Sequence, residues 1–250
     1  TYSEQFDNAA WAKYGTCAVS ANAISAPDGT VSADLISNCT GYSNRLTNLT
    51  ALAISGGGTY TFSVYVRSSG NGSEATLQLA TYGGTYESVS VVKSLTQEWN
   101  RFNLQITTNS DNTGLFAIVC GGNGTSDLYI WGAQIEAGSF PTSYIPSTSA
   151  SVTRTADSAV MTGTNFSAWH NQSEGTFVCG FDTVEAAATQ GNVFEVGDGT
   201  WNERMNAFVS STPTINWVVT DGGVQVVNFS TGSYVVGNVA KVGTTYALNS

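Results

Sequence analysis

The feature that most limits how this chain can fold is a train of short apolar–polar alternations. GTYTFSVYVR at 58–67 is the clearest of them. In an extended chain Tyr60, Phe62, Val64 and Val66 fall on one side, and Thr61, Ser63, Tyr65 and Arg67 on the other. EATLQLATY at 74–82 repeats the pattern, with Leu77 and Leu79 inward and Gln78 and Tyr82 outward. YESVSVV at 86–92 follows. WNRFNLQIT at 99–107 then turns Phe102, Leu104 and Ile106 inward and Arg101, Asn103 and Gln105 outward. GLFAIVCGG at 114–122 is apolar throughout, as expected of a central strand covered on both faces. LYIWGAQIE at 128–136 closes the set. Strict alternation puts its Tyr129, Trp131 and Ile135 on one face and Leu128, Ile130 and Gln134 on the other. Gly-, Asn- and Ser-rich turns separate these runs. Short strands at such spacing, without a helical period, predict an all-β sandwich or jelly roll.

The strand signal is strong only from Ala51 onward. Before it, SEQFDNAAWAKYG reads as an irregular lead-in that lays the rings of Phe6 and Trp11 on the core, and APDGT at 26–30 reads as a turn. The first domain is expected over 1–146. A Pro-, Ser- and Thr-rich linker follows over 147–160. The remainder, 161–250, shows further short strands in GTFVCGFDT, NVFEVGDGT, RMNAFVSS, INWVVTD and VQVVNFS, with Asp221-Gly222-Gly223 as a hairpin turn. These strands make only part of a second β-sandwich, so the fold is expected to continue beyond Ser250 or to be completed by neighbouring chains.

Composition removes several function classes. The net charge is −10, with three Lys and five Arg scattered along 250 residues. Phosphate backbones need clustered cations, so nucleic acid is not expected as a partner. No apolar run is long enough for a membrane helix, and membrane insertion is not expected. The cysteines, at 17, 39, 120 and 179, contain no CxxC pair. Cys17 and Cys39 could pair, but buried free thiols are the favoured reading.

No catalytic constellation emerges, and the chain is expected not to be an enzyme. His170 is the sole histidine and no GxSxG elbow accompanies it, so it reads as a surface imidazole near the linker. Glu195, Asp198 and Glu203 are the closest acids on strand-like sequence, but Gly197 and Gly199 place Asp198 in a turn. The outward residues Tyr65, Arg67, Gln78, Tyr82, Arg101 and Asn103 have more to offer. If their strands are neighbours, they combine aromatic faces for sugar C–H patches with planar polar groups for hydroxyls. A subunit interface or a plain solvated face accounts for them equally well.

Four phrases carry a family resemblance: SEQFDNAAWAK at 3–13, ANAISAPDGTVSADLI at 21–36, YTFSVYVR at 60–67 and WGAQIEAGSFPTSYIPSTSASVTRTAD at 131–157. They resemble tail-fibre, tail-spike and related virion appendage proteins of tailed bacteriophages. The resemblance implies a carbohydrate-binding-module-like jelly roll, then a concanavalin A-like or laminin-G-like sandwich beginning near NFSAWHNQSEGTFVCGF at 165–181. It implies a virion protein that meets host cell-surface polysaccharide or scaffolds an appendage, with other virion proteins as partners and a homo-oligomeric, trimeric or ring-like, assembly. The binding module of a glycan-degrading enzyme is the alternative. It further implies that structural calcium could sit among Asp7, Asp28, Asp127 and Glu136.

Overall fold

The structure, a computed structural model, describes residues 2–50, 54–70, 74–122, 127–153, 159–182, 191–236 and 238–247. The chain divides into two compact units, Thr1–Thr155 and Ala156–Ser250.

Among the described residues of the first unit ten strands form two five-stranded antiparallel sheets. They are β1 (Trp11–Lys13), β2 (Ala18–Ser25), β3 (Val31–Ser37), β4 (Leu46–Thr50), β5 (Thr59–Ser68), β6 (Glu74–Tyr82), β7 (Ser88–Ser94), β8 (Asn100–Thr107), β9 (Gly114–Gly121) and β10 (Leu128–Ala137). One sheet runs β1-β4-β9-β6-β7 and the other β2-β3-β10-β5-β8. The strands expected from alternation are all present. β9 is the middle strand of its sheet and buried along nearly its whole length, as its uniformly apolar sequence requires. The core lies between the sheets. Leu46, Leu77, Leu79, Leu115 and Val119 come from one side and Ile36, Phe62, Val64, Leu128 and Ile130 from the other, all inaccessible to solvent. Phe6 and Trp11 join them, with ring centroids 4.7 Å apart.

The lead-in is more ordered than alternation suggests. β1, β2, β3 and β4 all fall before Ala51, and β1 lies within the segment read as irregular. β2 is an edge strand exposed at most positions, so selection for an apolar face is weak and its sequence, AVSANAIS, hardly alternates. The turn at 26–30 forms as expected, with Gly29 at φ 87°. The cysteine reading is corrected: Cys17 and Cys39 form a disulfide, while Cys120 and Cys179 remain free thiols.

β10 breaks its own alternation. Its register against β5 shifts between Trp131 and Gln134, where Gly132 adopts φ 62°. A Cβ on Gly132 would lie 3.1 Å from the Tyr65 ring, in a backbone conformation that side chains disfavour. Past this bulge the faces exchange. Gln134 pairs with outward Ser63, and Ile135 with inward Phe62, the reverse of strict alternation.

The second unit contains a single helical turn α1 (Thr164–Ser167) and the strands β11 (Glu174–Phe181), β12 (Gly191–Gly197), β13 (Arg204–Val209), β14 (Thr214–Asp221), β15 (Val224–Ser233) and β16 (Ala240–Ala247). β12-β13-β14-β15 make a four-stranded antiparallel sheet, and β11 pairs with β16. The Gly222-Gly223 turn closes the β14–β15 hairpin with φ 56° and 79°, as its sequence predicts. Trp217, Ala207, Val209, Ile215, Tyr234 and Val242 form a small core with Phe177, Phe181 and Phe194 packed against it.

Candidate functional site

The six outward residues do not share one face. Tyr65, Arg67, Arg101 and Asn103 lie on the outer side of the β2-β3-β10-β5-β8 sheet, where Tyr65 pairs with Arg101 and Ser63 with Asn103. Gln78 and Tyr82 lie on β6 in the opposite sheet. The outer faces of a sandwich point away from one another, so the set splits into two surfaces. Alternation along a strand reports which way a side chain points; it does not report which sheet holds the strand.

The surface bearing Tyr65 is occupied by the protein itself. After β10 the chain reverses, and residues 138–147 run back over it as a strap. Thr61 Oγ1 donates to the Gly138 carbonyl at 2.8 Å, and Gln105 donates to the Ser139 carbonyl. Arg101 Nη1 donates to the Thr142 carbonyl at 2.6 Å and its Nη2 to Ser63 Oγ at 2.9 Å. Glu136 accepts from the Thr142 N–H at 2.9 Å and from its hydroxyl at 2.7 Å, and Gln134 accepts from the Ile145 N–H at 3.0 Å. Tyr144 then packs into an aromatic triad, its ring tilted 4.6 Å from Trp131 and edge-on 6.4 Å from Tyr65. Its hydroxyl shares a bond with Ser3 at 2.7 Å and donates to Glu4 at 2.8 Å, tying the strap to the N-terminal segment. Tyr65 and Arg101 are therefore both engaged with the strap. Arg67 lies beyond the triad near Trp99 and Tyr129, 5.8 and 5.9 Å from their rings, and Asn103 is exposed.

Among the described residues the other sheet's outer face carries no comparable strap. One row across it reads Ala12, Thr47, Ile118, Gln78, Ser90 from β1 to β7. The next row holds Cys120, Thr76 and Val92, and on the other side lie Phe116, Ala80 and Ser88. The middle is recessed: Gln78 is 6% exposed, Ile118 3% and Cys120 0%. The Gln78 amide donates to the Tyr86 hydroxyl at a long 3.4 Å. Tyr82 lies against Phe116, with ring centroids 6.4 Å apart. Toward β1, Arg45 donates through Nε to Thr47 Oγ1 at 3.2 Å, and its guanidinium sits 4.0 Å above the Tyr14 ring. Tyr14, Tyr42 and Tyr86 are all exposed. Burial pushes the Cys120 thiol up to about 11 against the opposing pull of Arg45, so it stays protonated at neutral pH. The face thus presents a recessed amide and one guanidinium between tyrosine rings. Tyr14, Tyr42 and Arg45 escaped the sequence reading because they lie in turns or just outside the strands, where alternation is silent; Tyr86 opens the run read at 86–92 but was not singled out there.

The four proposed calcium ligands do not converge. Asp28 closes its own turn on the N–H and hydroxyl of Thr30, Asp127 accepts from the Asn38 N–H, and Glu136 holds Thr142. Asp7 lines a polar cavity of about 290 Å³ with Glu4, Asn8, Asn22 and Asp34. Asp34 is buried there; its two carboxylate oxygens accept from the N–H groups of Phe6 and Asn22, both at 2.9 Å. Burial raises its pKa despite those bonds. With its oxygens turned to backbone donors, Asp34 serves the fold. Among the described residues no group of three or more His, Cys, Asp or Glu side chains is placed to hold a metal ion.

In the second unit Glu195 accepts from Arg204 at 3.2 Å, Asp198 closes a turn on Thr200, and Glu203 accepts from the Gly222 N–H at 2.8 Å. His170 is half-buried rather than on the open surface. Its ring stacks 4.5 Å from Phe166 and 6.2 Å from Tyr246.

Neither a protein-family model nor a curated protein sequence matches the chain. Solved structures do show a likeness. The CBM22-1–GH10 modules of Clostridium thermocellum endo-1,4-beta-D-xylanase 10B align with 17% identity and a TM-score of 0.44, over 52% of this chain and 26% of that one. The CBM22-1 xylan-binding domain of Paenibacillus barcinonensis Xyn10C aligns with 17% identity and a TM-score of 0.42, over 51% of this chain and 85% of that one. The enzymatically active domain of bacteriophage CBA120 tailspike protein 4 aligns with 11% identity and a TM-score of 0.41, over 54% of this chain and 20% of that one. At such identity none of them transfers a ligand or a site residue to this chain.

Proposed function

We propose that the first unit is a glycan-recognition module and that it binds through the outer face of the β1-β4-β9-β6-β7 sheet. The carrying observation is the recessed Gln78 amide, flanked by Tyr86 and Tyr82 on one side and by Arg45 and Tyr14 on the other. Planar amide and guanidinium groups match pairs of vicinal hydroxyls, and tyrosine faces match the C–H side of a sugar ring. The opposite face is already taken by the strap, which leaves this one for a ligand.

The whole chain is, in this reading, a non-enzymatic component of a bacteriophage tail or fibre that meets host-surface polysaccharide. The phrases quoted from 3–13, 21–36, 60–67 and 131–157 support the virion assignment. The engagement of Glu195, Asp198 and Glu203 in turns and cross-strand pairs supports the non-catalytic one.

Affinity electrophoresis through gels containing host polysaccharide tests the site. Tyr86→Ala and Arg45→Ala should each weaken retention by about tenfold, the equivalent of ~1.4 kcal/mol. Tyr86 is mostly exposed, so its variant should melt where the parent does. Full retention by both variants would refute the assignment of this face.

A further inference from the structure

The second unit has a polar sheet face with unmet hydrogen-bonding groups at its centre. In the β12-β13-β14-β15 sheet, pairing aligns Phe194, Ala207, Trp217 and Phe229 on one side and Glu195, Asn206, Val218 and Asn228 on the other. Ala207 and Trp217 belong to the small core, with Phe194 packed against it, so the first side faces inward. The second side is recessed along its middle. Asn206 is 0% exposed, Val218 2% and Thr220 6%, whereas Glu195 and Asn228 on the flanking strands are exposed.

Two polar atoms of this face, Asn206 Oδ1 and Arg204 Nε, are buried with no partner among the described residues. Arg204 lies two residues before Asn206 and pairs with Thr220, which puts it on the same side. Its side chain is 8% exposed, and its Nη1 donates to Glu195 Oε2 at 3.2 Å. The Asn206 Nδ2 donates to Asn192 at a long 3.4 Å. A buried group left without a partner costs about 1–3 kcal/mol, and a ligand that brings both a donor and an acceptor removes two such costs.

An indole borders the recess. Trp201 is 71% exposed, yet its ring lies 3.7 Å from the Arg204 guanidinium carbon. Gly197 makes room for this arrangement. It pairs with Arg204, and a Cβ there would lie 3.0 Å from the Arg204 Cβ. Glu195 and Trp201 together hold the guanidinium, and the guanidinium in turn orients the indole before any ligand arrives.

We propose that this face binds a neutral saccharide. Hydroxyls of one sugar ring donate to Asn206 Oδ1 and accept from Arg204 Nε, and the C–H side of the saccharide lies on Trp201. The chemistry selects this ligand. A hydroxyl is donor and acceptor at once and small enough to enter a recess that a flat protein surface would bridge. Glu195 already neutralises Arg204, and residues 160–250 hold seven carboxylates against two cations, so an acidic sugar is disfavoured. The site stands on its own observations and does not depend on the face assigned in the first unit.

An array of neutral and uronate-containing oligosaccharides tests the proposal. It is probed with the intact chain carrying Arg45→Ala and Tyr86→Ala, which disables the first-unit face. This chain should bind neutral members of the array and ignore the uronates. Adding Trp201→Ala should weaken binding by about tenfold, as loss of one stacking contact does. Adding Asn206→Leu instead, close in size but apolar, should abolish binding without lowering the melting temperature, because it removes an unmet acceptor. No binding to any neutral glycan would overturn the site and leave the first-unit reading intact. A preference for uronates would overturn the ligand class. Binding unchanged by either substitution would overturn the placement, and a lower melting temperature with unchanged binding would make Asn206 a residue of the fold alone. Should Asn206→Leu unfold the unit, the exposed Trp201→Ala decides between these outcomes by itself.

Discussion

At the scale of single residues, the strap side chains account for more stability than function. Arg101 makes two charge-assisted hydrogen bonds, to the Thr142 carbonyl and to Ser63. Arg101→Ala should therefore destabilise the first unit by about 2 kcal/mol in denaturant titrations. It should leave polysaccharide retention unchanged, since the residue lies under the strap. Tyr144 gives a pH signature. Burial raises its phenol well above the ordinary range, with the bond to Glu4 adding to the effect and the one to Ser3 opposing it. The folded chain then holds that proton at a pH where the unfolded chain has released it. The contribution is complete below about pH 10 and is lost as pH rises above that value. Tyr144→Phe should flatten the alkaline fall in stability. Cys120 is also raised by burial, to about 11, and titrates in an overlapping window, so Cys120→Ser is the control. If Tyr144→Phe leaves the alkaline slope as it was, the phenol is not buried in solution.

At the scale of elements, the Cys17–Cys39 disulfide closes a loop spanning β2 and β3 with a sequence separation of 22. The Cys39 carbonyl accepts from the Gly121 N–H at the end of β9, so the bridge ties one sheet's edge to the other sheet's centre. Its removal should cost about 3 kcal/mol, seen as a lower melting temperature in reducing buffer. A melting temperature indifferent to reductant would argue against the pairing. Spacing alone could not decide between this bridge and free thiols, because proximity arises only once β2 and β3 have paired. Much else at this scale was legible. Alternation placed β5, β6 and β8 and oriented their side chains correctly, the uniformly apolar run placed β9, and the Asp-Gly-Gly turn announced the β14–β15 hairpin. What alternation lacks is long-range information. Consecutive strands β5 and β6 lie in different sheets, so a set of outward residues that looks like one site divides in two. The one-residue shift at Gly132 is invisible to strict periodicity, yet it exchanges the faces of everything that follows in β10.

At the scale of the whole molecule, the first unit has one outer face closed by its own chain and one that carries no such strap among the described residues. That asymmetry is the basis for reading the open face as a recognition surface. The strap phrase, WGAQIEAGSFPTSYIP, is the most specific stretch of the sequence, and it builds the closed face. Of the residues singled out by alternation, Gln78 and Tyr82 remain on the open one. The most direct test is oxidative footprinting of the intact protein with and without host polysaccharide. Within the first unit, protection confined to Tyr14, Tyr42, Tyr82 and Tyr86, with Tyr65, Trp131 and Tyr144 unchanged, is the predicted result. Protection of the Tyr65–Trp131–Tyr144 triad with no change at Tyr14, Tyr42 or Tyr86 would contradict it.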